Sequence, residues 1–100
     1  MIELNNSNYD SAVSDQQILL VEFGAEWCGP CKMILPVLQK LSSQRQDVKV
    51  CKVDIDESPE LASRHQIRSV PTLILYKNGV EIKRHVGLTS YEKLITIIDG

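Results

Sequence analysis

The stretch Ile18-Leu19-Leu20-Val21-Glu22-Phe23 constrains the fold more than any other part of the chain. It is apolar at every position but Glu22. A strand with one face in water alternates polar and apolar residues. A continuous apolar run reads instead as a strand buried on both faces, hence a central one. Whatever flanks it must therefore cover both sides of a sheet.

The rest of the sequence supplies such elements. Ile2 to Leu4 reads as a short strand. Ser7 with Asp10 reads as a capping box that opens a helix through about Ser14, with Tyr9, Ala12 and Val13 facing inward. After the central strand, Ile34, Val37, Leu38 and Leu41 recur at helical spacing through about Gln44. Pro36 lies inside that helix and removes one backbone donor, which predicts a kink. Val48 to Val53 reads as the next strand, parallel to the central one through the helical crossover. Ser58-Pro59 reads as an N-cap followed by proline at the first helical position, opening a helix to about His65. Thr72 to Tyr76 is a strand. Asn78-Gly79 is a hairpin signal, and Glu81 to Val86 is the partner strand. Thr89 and Glu92 read as a second capping box before a helix with Tyr91, Leu94, Ile95 and Ile98 on one face. The order is βαβαβαββα, which predicts an α/β fold with a central sheet covered by helices on both faces.

Composition narrows the function classes. The chain has 100 residues, the size of one domain, and is 43% hydrophobic. Its net charge of −2 and lack of a basic patch argue against nucleic-acid binding. The longest apolar run is about four residues, far short of a membrane span. The start, MIELNNSNYD, has neither the basic nor the apolar region of a signal peptide, so the expected location is the cytoplasm. Asn5-Asn6-Ser7 matches a glycosylation sequon, which carries no meaning without secretion.

Two of the three cysteines stand two residues apart in Glu26-Trp27-Cys28-Gly29-Pro30-Cys31-Lys32. A structural staple across so short a loop stabilises a fold by about 2 kcal/mol on the chain-entropy model. A reducing compartment denies even that. A structural zinc site needs four ligands, and here Cys51, His65 and His85 are scattered elsewhere. Redox chemistry fits better. The nucleophile is the thiolate, and a helix that starts at Cys28 offers unpaired N–H groups and a positive dipole end to stabilise it. Cys31, one turn further in, is expected to be more buried and within reach of a mixed disulfide formed by Cys28. A Cys-x-x-Cys beside a βαβ pattern reads as a thioredoxin-like motif.

Ala25-Glu26-Trp27-Cys28-Gly29-Pro30-Cys31-Lys32 resembles the active-site signature of the thioredoxin family. The similarity continues through Lys32-Met33-Ile34, Pro36, Lys52-Val53-Asp54-Ile55-Asp56, Val70-Pro71-Thr72, Lys77-Asn78-Gly79 and Val86-Gly87, nearly the whole chain. It implies the thioredoxin fold: a central mixed five-stranded sheet flanked by four helices, as a single domain over residues 1–100. It also implies roles. Cys28 would be the attacking thiolate and Cys31 the resolving thiol, the two closing as a redox disulfide. Trp27 would pack beside that disulfide and shape the docking surface, with Gly29 and Pro30 between the cysteines. Pro71 would follow Val70 through a cis bond, and the Val70 backbone would pair with an extended client segment. Gly87 would leave room at the same surface.

Two positions depart from the family pattern, which most often has Asp at Glu22 and an aromatic, commonly Trp, at Gly24. A carboxylate in an apolar strand is a functional suspect. By resemblance, Glu22 would take the proton from Cys31, with Lys52 nearby to tune it. Gly24 removes a large side chain from under the active-site loop, which predicts a looser docking surface and lower stability. Cys51 reads as a small core residue. His65 and His85 read as surface residues, and Asp54 and Asp56 as solvated loop groups rather than a metal pair.

The resulting expectation is a cytoplasmic protein-disulfide reductase working by thiol–disulfide exchange. No bound cofactor or metal is expected. The resemblance implies electrons from NADPH through a thioredoxin reductase, disulfide-containing client proteins as partners, and a monomer. The alternatives are a binding or scaffold subunit without turnover, and an oxidant or isomerase variant.

Overall fold

The computed structural model describes residues 1–15 and 17–100. Its elements are β1 (Ile2–Leu4), α1 (Tyr9–Asp15), β2 (Ile18–Gly24), α2 (Gly29–Gln44), β3 (Lys49–Asp54), α3 (Pro59–Arg64), β4 (Thr72–Lys77), β5 (Val80–Val86) and α4 (Tyr91–Asp99). The order is the one the sequence predicts, with boundaries shifted by a residue or two.

The strands form one sheet in the order β1-β3-β2-β4-β5. β3 runs parallel to both β1 and β2, whereas β4 is antiparallel to β2 and β5 to β4. The continuously apolar β2 is the middle strand. Side chains alternate along it. Leu19, Val21 and Phe23 join a core with Tyr9 of α1 and Leu61 of α3. Leu20 joins the opposite core with Ile34, Leu38 and Leu41 of α2 and Leu94 and Ile98 of α4. Glu22 and Gly24 share the parity of Leu20 and so belong to the α2 face. Cys51 is buried in the first core, as expected.

The hairpin between β4 and β5 turns at Asn78 and Gly79, with φ of 53° and 81°. A two-residue primed turn needs positive φ at both positions, which asparagine and glycine tolerate best. At the far ends of the two helices on the α2 face, Arg45 bridges Asp47 and Asp99 and so ties α2 to α4.

Three local expectations are corrected. The turn into α1 is organised by Asn5 and Asn8 rather than by Ser7 and Asp10. The Asn5 N–H donates to Asn8 Oδ1, and Asn5 Oδ1 accepts from the Ser7 N–H. Asp10 instead pairs with Arg64 of α3 at 2.6 Å. At α4 the cap is Ser90, whose hydroxyl oxygen accepts from the Lys93 N–H; Thr89 lies one residue too early. His65 is not a free surface residue. Its ring lies 4.8 Å from that of Tyr9 and 5.8 Å from that of Phe23. Burial first, then Arg64 and Arg84, hold it below its ordinary pKa. His85 is likewise half-buried, with Nε2 covered. Among the described residues no helix is long and apolar enough to cross a membrane.

Candidate active site

The central strand delivers the chain to the cysteine pair. β2 ends at Gly24, and Ala25, Glu26 and Trp27 lead into α2. Cys28 is the N-cap of that helix, with extended backbone, and its sulfur accepts from the Cys31 N–H at 3.2 Å. One of the N–H groups that every helix start leaves unpaired is thus aimed at this sulfur. Gly29 and Pro30 form the exposed first positions of the helix, where a missing proline N–H costs no helical bond.

Cys28 and Cys31 are joined as a disulfide with their Cα atoms 5.2 Å apart. Both are only 5% exposed. The expected contrast between an outer Cys28 and an inner Cys31 is therefore absent in the closed pair. The reason is the loop before β4. Val70 packs against Ala25 and both cysteines, and its carbonyl oxygen lies 3.6 Å from Cys28 Sγ. The Val70–Pro71 bond is cis. The Pro71 carbonyl in turn accepts from the Gly87 N–H at 2.8 Å. Gly87 has φ of 95°, and none of the described residues lies near the place of a side chain. Its glycine serves this backbone turn as well as leaving room.

Trp27 is 67% exposed, and its indole N–H donates to Asp56 Oδ2 at 2.8 Å. The side chain stands out on the surface, held at its edge by Asp56. Asp56 was not legible as part of the site. Its own loop is held by Asp54, whose Oδ1 accepts from the N–H groups of Asp56 and Glu57. Asp54 thus holds the backbone of the loop from which the Asp56 carboxylate reaches the indole.

Glu22 is 3% exposed, and its Oε2 has no hydrogen-bond partner among the described residues. Burial raises its pKa to about 7, against the pull of Lys52 and with a further push from Asp54. Lys52 is its register partner on β3. The room left by Gly24 is partly taken by this carboxylate. A Cβ built on Gly24 would collide with Glu22 Oε2 and stand 3.0 Å from its Cδ and 3.2 Å from Cys31 Sγ. The carboxyl group and the Cys31 sulfur are therefore neighbours across one small gap. That gap opens into a cleft of about 540 Å³ lined by Glu22, Gly24, Cys31, Lys32, Lys52 and Asp54 among others. Among the described residues no group of three or more His, Cys, Asp or Glu side chains could hold a metal ion.

The arrangement can do thiol–disulfide chemistry. It has a vicinal pair at a helix start, a backbone donor on one sulfur, a titratable carboxyl beside the other, and a loop carbonyl against the pair. Comparison with known proteins agrees. The family model described as Thioredoxin matches residues 1–100. The chain is 49% identical over 81 residues to the thioredoxin of Chlamydia trachomatis, covering 81% of this chain and 79% of the relative. It is 42% identical over 81 residues to thioredoxin-1 of Saccharomyces cerevisiae, with the same coverage. Among solved structures, a mutant thioredoxin from Halobacterium salinarum superposes with a TM-score of 0.92 at 37% identity, covering 98% of this chain and 87% of the other. Plasmodium falciparum thioredoxin gives 0.91 at 33% identity, with 99% and 97% covered. With its family model, its fold and its vicinal pair in agreement, the chain belongs to the thioredoxin family and is a thiol–disulfide oxidoreductase.

Proposed function

We propose that the chain, as one domain over residues 1–100, reduces protein disulfides with Cys28 as nucleophile, Cys31 as resolving thiol and Glu22 as the base. The Cys28 thiolate attacks one sulfur of a client disulfide. The client S–S bond breaks, a Cys28–client bond forms, and the first client sulfur leaves as a thiolate that takes up a proton. Glu22 removes the proton of Cys31, directly or through one water. The Cys31 thiolate attacks Cys28, the mixed disulfide breaks, and the client leaves fully reduced. The Cys28–Cys31 disulfide is left behind.

The observation that carries this reading is the Cys31 N–H on the Cys28 sulfur, because a donor fixed at a helix start favours the anion at that atom. Glu22 suits the role of base because a carboxyl with a pKa of about 7 accepts and returns a proton near neutrality. Lys52, across the strand pair, keeps that value from rising further.

The client surface comprises Trp27, Gly29, Pro30, Val70, Pro71 and Gly87 around the pair. The Val70 backbone beside the pair suits an extended client segment that adds as a strand. The electrons that reopen the disulfide come from NADPH through a thioredoxin reductase, with no cofactor held by this chain. The protein works in the cytoplasm as a monomer.

Trapping tests the assignment. Cys31→Ser, incubated with a disulfide-bonded client, accumulates a mixed disulfide at Cys28 that dithiothreitol releases. Cys28→Ser accumulates none. Equal trapping by both variants would remove the division of roles.

A further inference from the structure

Gly24 lies where nothing in the backbone asks for glycine. It pairs in register with Asp54, and its carbonyl accepts from the Ile55 N–H at 3.0 Å. The chain's positive-φ glycines are Gly79 and Gly87, so any residue could adopt the conformation at position 24. A glycine there gives up packing and adds to the cost of ordering the chain. The compensation lies two residues back. Successive side chains of a strand alternate, so positions 22 and 24 share a face. The carboxyl group of Glu22 reaches forward along that face into the space that a side chain at 24 would fill. A Cβ on Gly24 would collide with Glu22 Oε2, and the same point is 3.2 Å from Cys31 Sγ. A shorter acid at position 22 would not extend this far. The additional methylene of glutamate and the missing side chain at 24 are thus two halves of one steric solution.

We propose that Gly24 is a positioning residue, whose absent side chain holds the Glu22 carboxyl against Cys31 and so sets the rate at which Cys31 resolves mixed disulfides. The inference rests on Glu22 acting as the base. It adds that the base works in this chain only because position 24 is empty. The first atom a new Cβ meets is the far end of a flexible side chain, so Gly24→Ala displaces the carboxyl rather than unfolding the strand.

The test is a set of four variants: Gly24→Ala, Glu22→Asp, the two combined, and Glu22→Gln. For each, the single-turnover rate of mixed-disulfide resolution is measured across the pH range of the Glu22 titration, beside a thermal melt. Glu22→Gln is expected to slow resolution about tenfold or more and to remove the inflection that the Glu22 titration gives the pH profile. Gly24→Ala is expected to lose a similar factor while remaining folded. In the Glu22→Asp background, Gly24→Ala is expected to change neither rate nor profile, because the shortened acid no longer occupies the gap. Equal losses from Gly24→Ala in both backgrounds, or a wild-type profile for Gly24→Ala, would overturn the positioning role and leave the base assignment standing. An unchanged profile for Glu22→Gln would overturn both.

Discussion

The backbone N–H of Cys31 donates to the sulfur of Cys28 at 3.2 Å, which makes the first cysteine of the pair the cap of its own helix. The third cysteine has the opposite surroundings. Cys51 is buried in the sheet, and burial pushes its thiol up to about 11. At pH 7 that leaves about one Cys51 thiol in ten thousand ionised. In the reduced protein, iodoacetamide is therefore expected to modify Cys28 first and to leave Cys51 untouched until the protein is denatured. Peptide mass mapping reads both sites. Early labelling of Cys51 in the folded protein would contradict the placement.

Glu22 predicts how stability varies with pH. Its pKa lies at about 7 in the folded chain against an ordinary 4.5, so the folded state holds a proton that the unfolded state has lost in that interval. The contribution of Glu22 to stability then falls as pH rises from 4.5 to about 7 and levels off above it. The effect of this one group is about 3 kcal/mol in full. Denaturant melts of the oxidised protein should show Glu22→Gln matching wild type at the acid end and exceeding it above neutral pH. Parallel curves for the two proteins would refute the burial account.

The hydroxyls of Tyr9 and Tyr76 meet at 2.6 Å in the core beneath α1. Burial leads the upward push on both. Removing one hydroxyl leaves the other dry and unpaired, which costs about 1 to 3 kcal/mol. Removing both leaves nothing unpaired. Tyr9→Phe and Tyr76→Phe should each destabilise by that amount, and the double variant by clearly less than their sum. Additive losses would mean the two hydroxyls act independently.

Trp27 is the chain's one tryptophan, so its fluorescence reports directly on the Asp56 contact. Asp56→Ala should shift the emission and lower kcat/KM for a protein client, because the freed indole samples other orientations on the proposed docking surface. The stability loss should stay below about 1 kcal/mol, since the contact is exposed. Unaltered emission would show that the indole is held by something else.

The strand and helix order was legible because its signals are local. The apolarity of Ile18 to Phe23 marks a middle strand, and Asn78-Gly79 marks a hairpin with no help from the rest of the chain. The caps were less so. Asn5, Ser7 and Asn8 stand together, as do Thr89 and Ser90, and a shift of one residue decides which side chain reaches the open N–H. The cysteine pair and Glu22 were readable as chemistry that an apolar strand and a helix start make unusual. Their surroundings were not. Asp56 reaches Trp27 across 29 positions, and Val70 covers Cys28 across 42. The reading of Gly24 as a missing side chain overlooked that the Glu22 carboxyl fills part of the gap, since such a contact depends on how one side chain bends along the strand.

Dithiothreitol-driven reduction of insulin, wild type beside Cys28→Ser, tests the central claim most directly and needs no partner protein. The account predicts rapid reduction by wild type and a rate for Cys28→Ser no faster than dithiothreitol alone. Retention of the wild-type rate by Cys28→Ser, or no acceleration by wild type itself, would contradict it.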